Sequence, residues 1–353
     1  MLDLSMLIHK NELLFASLHN QHLLKKAPCK KVVSDLCGLQ SQFANNPKYA
    51  LRIRGSDFDE KHWKEGLVKT WTLRGTLHVI LEKELGLFLS AQGLPEEWHN
   101  AWGLEAGRLR YWVDFIMEQI SEGVCRREAI KEQCREKGIS AEEEGKVFHG
   151  WGGVLYEMSR RGLIAYQCGT AKEFVPCENI QWLESDEARA ILLRRYFQAF
   201  GPASIEDCVY FTGYKRRDIS ALMSRFEISS QSVSLEGKDY FYIGTLPSAG
   251  DIPPCVYLAG FDQLVMGYRD RSRIMEEQFK PAVTTNSGIV HPTILLKGRL
   301  QAKWKKDGKR LVITPFTALS SGDKQMISET GENLFAGEIQ EISFQREFDG
   351  IPR

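Results

Sequence analysis

With 353 residues, 43% hydrophobic and 26% charged, the chain has the composition of an ordinary globular protein with room for about two to four domains. Forty-six basic and forty-six acidic side chains cancel, which argues against promiscuous polyanion binding and leaves a single local basic face as the way to hold a nucleic acid. No apolar run reaches the roughly 18 to 20 residues that span a bilayer, and the start, MLDLSMLIHKNELLF, has no basic segment before its apolar residues and no small-residue cleavage site, so the expected location is the cytoplasm, at the nucleoid when bound to DNA.

Eight cysteines, at 29, 37, 125, 134, 168, 177, 208 and 255, include no CxxC pair, so a structural zinc site is not expected. Cys168 and Cys177 could be written as a disulfide, but free buried thiols suit an intracellular chain better.

In chain order, Lys31 to Leu39 reads as a short helix stopped near Gly38, followed by the punctuation Asn45-Asn46-Pro47. A second helix is expected over Phe58 to Gly66. Leu67 to Ile80 is rich in β-branched and aromatic residues around Arg74-Gly75, which predicts two short strands and a turn. Helices followed by such a two-stranded wing describe a winged-helix module. The pattern recurs with helices over Arg108 to Gln119, Arg126 to Lys137 and Glu142 to Arg160, then strands at Leu163 to Gln167 and Lys172 to Val175. A third cycle has a helix from Glu187 to Phe200, Ser204 as N-cap with Asp207 in the first turn, a turn at Thr212-Gly213, a recognition-type helix over Arg216 to Phe226, and a wing at Val233 to Ile243.

After Pro253-Pro254 the helical rhythm disappears. Val256 to Leu258, Ile289 to Leu296, Leu300 to Lys305 and Leu311 to Pro315 read as strands, with Lys306-Asp307-Gly308-Lys309 as a hairpin tip. A last helix near Gly331 to Ala336, or none, and a strand at Glu338 to Phe344 complete the reading. The expected fold is α+β: three tandem winged-helix domains, residues 1–100, 101–182 and 183–250, then a β-barrel-like domain over 251–353.

The segment Gly38-Leu39-Gln40-Ser41-Gln42 places two neutral amides one residue apart. Such a pair is ordinarily polar surface. A glutamine is a poor proton acceptor, yet its carbonyl and NH2 can orient a water and a polar ligand together, which suits hydrolysis of a bond whose leaving group is already activated. In an extended backbone Gln40 and Gln42 project to the same side, whereas in a helix they diverge.

GLQSQF (38–43), VKTWTLRGTLHVI (68–80), RRYFQAFGPASIEDCVYFTG (194–213), FDQLVMGYRDRS (261–272) and HPTILLKGRLQAKW (291–304) together resemble the AlkZ-like family of winged-helix DNA glycosylases. The resemblance covers nearly the full length with the motifs in the family's order. It implies three winged helices and a C-terminal β domain that cradle damaged duplex DNA, and excision of alkylated purines, including bulky adducts or interstrand crosslinks. The family's catalytic Gln-x-Gln falls on Gln40 and Gln42. Ser41 stands where relatives usually have an apolar residue, and Phe43 where they are often acidic or polar. Monofunctional hydrolysis without a metal, another cofactor or a lysine nucleophile is expected, and no obligate protein partner or membrane is implied.

Asp35 and Asp57 are nearby proton acceptors whose plainer role is capping or surface. Asp262 can face the cleft, or else hold Tyr268 or Arg269. Trp71, Arg74 and His78 come from the first wing: Arg74 suits a phosphate, His78 a phosphate or the lesion pocket, and a core role competes at Trp71 and His78. Lys303, Lys305, Lys306, Lys309 and Arg310 gather on the hairpin, where phosphate contact or minor-groove entry fits better than base reading. Arg216 and Arg217 form a second basic group, and Arg269, Arg271 and Arg273 a third, some of them in internal ion pairs. Two other classes remain open: a non-catalytic winged-helix DNA-binding or regulatory protein, and an enzyme for a soluble nucleoside or antibiotic.

Overall fold

The computed structural model describes residues 6–7, 9–93, 98, 103–150, 152–169, 172–248 and 250–349. After a two-residue strand β1 (Met6–Leu7), helix α1 (Lys10–Asn20) buries Leu13, Leu14, Ala16 and Leu18. Helix α2 (Cys29–Asp35) starts behind Pro28, with the Asp57 carboxylate accepting the Cys29 N–H at 2.6 Å. It ends where Cys37 and Gly38 both turn to positive φ, 54° and 84°, and the Gly38 N–H returns to the Val33 carbonyl at 2.8 Å. The stop expected near Gly38 is therefore present, and it delivers the chain to the extended pair β2 (Leu39–Gln40).

Helix α3 (Asn45–Arg54) opens on Asn45-Asn46-Pro47, which reads as a break in the sequence. A proline in the first turn removes no intrahelical hydrogen bond, because the first N–H groups have none to make. Conversely, the helix expected over Phe58 to Gly66 is a run of turns. There the Asp59 carboxylate takes the N–H groups of Lys61 and His62 at 2.8 and 2.9 Å, in competition with helical bonding.

Strands β3 (Leu67–Trp71) and β4 (Leu77–Leu81) form the expected hairpin, with Arg74 and Gly75 at φ 56° and 62° in its turn. Helices α4 (Leu85–Ser90), α5 (Ala106–Ser121), α6 (Arg127–Glu136), α7 (Ala141–Val147) and α8 (Gly153–Arg160) follow, then β5 (Ile164–Gln167) and β6 (Phe174–Pro176). The single helix expected over Glu142 to Arg160 is two. Gly152 and Gly153 take φ 116° and 54° between them, and a Cβ on Gly153 would lie 2.3 Å from the Lys146 carbonyl oxygen. Strands β4, β3, β5 and β6 lie side by side in one sheet, near a core that includes Trp112, Ile116, Ile130, Val154, Met158 and Phe174.

Helix α9 (Ser185–Ala199) leads to α10 (Ile205–Thr212), α11 (Arg216–Arg225) and the hairpin β7 (Gln231–Leu235) and β8 (Lys238–Tyr242). The N-cap expected at Ser204 is a reciprocal box with Asp207, and Gly213 closes α10 in the left-handed conformation. Strand β9 (Cys255–Leu258), helices α12 (Gln263–Met266) and α13 (Lys280–Val283), strands β10 (Thr293–Leu296), β11 (Arg299–Asp307) and β12 (Arg310–Pro315), helix α14 (Ser321–Leu334) and strand β13 (Glu341–Phe344) end the chain.

These last strands form a sheet of order β13-β12-β11-β10-β9 with β13 parallel to β12. The barrel-like expectation is corrected here. Among the described residues β9 and β13 are unclosed edges, and α14 packs on the sheet instead. The sequence marks only the last turn of α14, because its buried face is slim, little more than Ile327 and Gly331. Gly331 lets the helix approach closely: a Cβ there would fall 2.7 Å from the Tyr257 hydroxyl and 2.8 Å from Leu311.

The fold is α+β and the chain divides into two compact units. Met1–Gln40, Asn45–Trp63 and Ala190–Arg353 form one, and Ser41–Ala44 with Lys64–Arg189 the other. All eight cysteines are free thiols, Cys168 and Cys177 included. Among the described residues no helix is long and apolar enough to cross a membrane.

Candidate active site

Gln40 ends β2 in extended backbone and is 6% exposed. Ser41 is also buried, and its N–H donates to the Leu77 carbonyl at 2.8 Å. The chain then bends, leaving Gln42 exposed and Phe43 48% exposed. The two amides thus differ in environment, and the division between the compact units passes between them. Upstream, the Gly38 carbonyl accepts the side-chain Nε2–H of Gln263 at 2.6 Å.

The nearby carboxylates are committed elsewhere. Burial acts to raise the Asp35 pKa, but hydrogen bonds from His22 and Lys31 (2.7 and 3.0 Å) outweigh it and hold the carboxyl below its ordinary value. The Cys29 N–H does the same for Asp57. Both are weaker bases than a free carboxylate. Asp262 is 2% exposed, and its partner is neither Tyr268 nor Arg269 but Arg54, in a bidentate pair at 2.9 and 2.7 Å. It also accepts the N–H groups of Ala259 and Leu264 (3.1 and 2.9 Å). With its oxygens so occupied, Asp262 supports the turn into α12 rather than a cleft.

In the first hairpin, Trp71 is half-buried and meets Tyr156 edge-on, with ring centroids 4.9 Å apart. Arg74 is half-buried at the turn. His78 is fully buried, with Nδ1 2.8 Å from Thr72 Oγ1 and 3.2 Å from the Thr76 carbonyl. Desolvation, with a contribution from Arg74, lowers its pKa to about 3. The enclosed imidazole braces the Thr72–Thr76 turn through Nδ1.

The basic groups separate into exposed and structural members. Arg216 and Arg217 are exposed at the start of α11, paired with Glu206 and Asp218. Arg269 is exposed, while Arg271 is tied to the Val265 carbonyl, Thr284 and Tyr210 (3.0, 3.2 and 2.9 Å) and Arg273 is buried against Tyr268. On the β11–β12 hairpin, Lys305, Lys309 and Arg310 are exposed, with Arg310 bonded to Glu341 at 2.9 Å. Lys306 is largely covered and donates to the Gly308 carbonyl at 3.0 Å. The Lys303 ammonium lies over the Phe348 ring at 4.4 Å, and burial lowers its pKa.

Sequence reasoning misses one basic cleft. His22, Lys25, Lys26, Lys31 and Arg195, with Asp35 as the acidic member, line a cavity of about 570 Å³ between the end of α1, α2 and α9. The dense run of basic side chains from His19 to Lys31 is the signal that could have found it. In the other unit, an apolar cavity of about 790 Å³ lies among Leu109, Val113, Met117 and Leu163. Neither cavity has Gln40 or Gln42 in its lining.

The sequence matches the family model "DNA glycosylase AlkZ-like" over residues 33–336. It is 26% identical over 312 residues to the interstrand DNA cross-link repair glycosylase of Streptomyces sahachiroi, an alignment that covers 81% of this chain and 84% of that protein. The solved structure of the Streptomyces sahachiroi DNA glycosylase AlkZ superposes with a TM-score of 0.77 at 21% identity, covering 96% of this chain and 100% of the other, so the two share a fold. The family match includes Gln40 and Gln42, the α12 turn and the β11–β12 hairpin. The chain belongs to the AlkZ-like family of DNA glycosylases.

Proposed function

We propose that this glycosylase hydrolyses the N-glycosidic bond of N3- or N7-alkylated deoxypurines in duplex DNA, bulky adducts and interstrand crosslinks included, through Gln40 and Gln42. The observation that carries the reading is the Gln-x-Gln segment with Gln40 held buried in extended backbone, in a chain of this family. The name of the Streptomyces relative, a cross-link repair glycosylase, favours bulky substrates. We read the helices and hairpins as three winged-helix modules over 1–100, 101–182 and 183–250, followed by the β-rich region 251–353.

Alkylation at N3 or N7 makes the purine cationic, so the base departs with the electron pair of the glycosidic bond and becomes neutral. The sugar carries oxocarbenium charge, and water adds to C1′ and loses its proton to solvent. An amide is too weak a base to drive this step alone. Its carbonyl dipole can orient the water and stabilise the developing positive charge, and that suffices when the leaving group is already activated. Exposed Arg216, Arg217, Arg269, Lys305, Lys309 and Arg310, with the basic cleft of Lys25, Lys26, Lys31 and Arg195, are the phosphate contacts in this reading.

The test is incubation of the protein, without added metal, with duplexes carrying N7-alkylguanine, N3-alkyladenine, a bulky adduct or a crosslink, followed by mass analysis of released bases. Release of the free base without strand cleavage is the expected result. Folded protein that binds all four duplexes and releases nothing would make it a binding protein.

A further inference from the structure

Gln263 reaches the turn before the Gln-x-Gln segment from a distant part of the sequence. It is 2% exposed, at the start of α12, and its amide donates to the carbonyl of Gly38 at 2.6 Å, across 225 residues of sequence. The amide's orientation is fixed by chemistry, since a carbonyl can only accept. Gly38 stands at φ 84° beside Cys37 at 54°, so the turn before Gln40 is built from two consecutive left-handed residues. Its local tether is the Gly38 N–H to the Val33 carbonyl. Gln263 supplies a second, long-range tether on the opposite face of the same residue.

The donor is itself anchored. Asp262, its neighbour, caps α12 and is gripped by Arg54, and the Arg54 Nε–H donates to the Gln21 carbonyl at 2.9 Å. Gln21 in turn donates to the Tyr268 hydroxyl at 3.0 Å. The Gly38 carbonyl is therefore bound to a buried polar network, and rotating the peptide there would swing Gln40, two residues on.

We propose that Gln263 is a positioning residue for Gln40: its hydrogen bond to the Gly38 carbonyl sets the turn that aims the Gln40 amide at the reacting water. This rests on the reading of Gln40 as catalytic. A side chain whose positioning is lost forfeits transition-state contacts while the phosphate contacts remain, so rate falls and affinity does not.

The experiment compares wild type, Gln263→Met and Gln263→Glu in single-turnover base release from an alkylated duplex between pH 5 and 8, with duplex affinity and thermal melting measured alongside. Gln263→Met keeps the volume and removes the donor, and about a tenfold to hundredfold slower release with affinity within about twofold is expected. Gln263→Glu sets an acceptor against an acceptor when ionised and restores a donor when protonated. Its charged neighbour in sequence, Asp262, is already neutralised by Arg54, and the titratable side chain next to Gly38 in sequence is the Cys37 thiol. Its rate relative to wild type should therefore recover as pH falls. Wild-type rates in a folded Gln263→Met, or a Gln263→Glu pH profile parallel to wild type, would overturn the proposal. So would equal losses of rate and affinity. Absence of release by the wild type overturns the catalytic reading of Gln40, and this inference with it. If Gln263→Met fails to fold, the Gln263→Glu profile decides.

Discussion

Arg54 and Asp262, 208 residues apart, form a bidentate ion pair with both side chains fully enclosed. The pair joins α3 to the turn that carries Gln263. A buried pair of this kind contributes little net stability against apolar side chains of equal size, but removing one partner strands a charge. Asp262→Asn should destabilise the protein by about 3 to 5 kcal/mol, seen as a lower denaturant midpoint. A change below about 1 kcal/mol would show that water reaches Arg54.

His78 makes stability depend on pH. Its folded pKa, about 3, lies below the ordinary 6.5. The unfolded chain therefore binds a proton between these values that the folded chain refuses. The stabilisation is complete above pH 6.5 and is lost as pH falls toward 3, at up to about 1.4 kcal/mol per pH unit. Melting of wild type and His78→Gln across pH 4 to 7 should diverge in slope, the variant being flatter. Parallel slopes would mean that His78 takes up its proton normally in the folded protein.

Gln40→Ala and Gln42→Ala should each slow single-turnover release more than they weaken duplex binding. Loss of one preorganised dipole costs roughly 3 kcal/mol, about a hundredfold in rate. The double variant need not be additive, because groups that serve a single chemical step do not contribute independently. Wild-type rates in both single variants at saturating enzyme would remove the glutamines from the chemistry.

On the β11–β12 hairpin, Lys305 and Lys309 are exposed, whereas Lys306 is tied to Gly308 and faces Glu338. Lys305→Gln with Lys309→Gln should weaken DNA binding and lower the slope of log affinity against log salt by roughly 0.9 for each phosphate no longer neutralised, with melting unchanged. Lys306→Gln should act on melting as well. An unchanged salt slope in the double variant would return these lysines to solvent.

Local chemistry makes much of the fold readable in the sequence. The stop before Gln40, the Arg74-Gly75 turn, the Ser204–Asp207 cap and the Asp307-Gly308 hairpin are each decided by a few neighbouring residues, and each is legible from those residues alone. The misreadings have separate causes. Pro47 reads as a breaker, yet the first turn of a helix tolerates it. Phe58 to Gly66 looks helical until Asp59 takes the backbone donors. Helix α14 has too few apolar residues to announce itself, and only Tyr257 and Leu311 explain why Gly331 belongs there.

By itself the sequence determined most of the strands and turns and the pair of amides at Gln40 and Gln42, because those depend on interactions within a few residues. Tertiary structure decided which polar groups are free to act. His78 and Asp262 look available in the sequence and are buried in the fold, while Gln263, which no sequence signal singles out, holds Gly38 from 225 positions away. Burial and long-range hydrogen bonding depend on which distant segments meet, and no local pattern of residues records that.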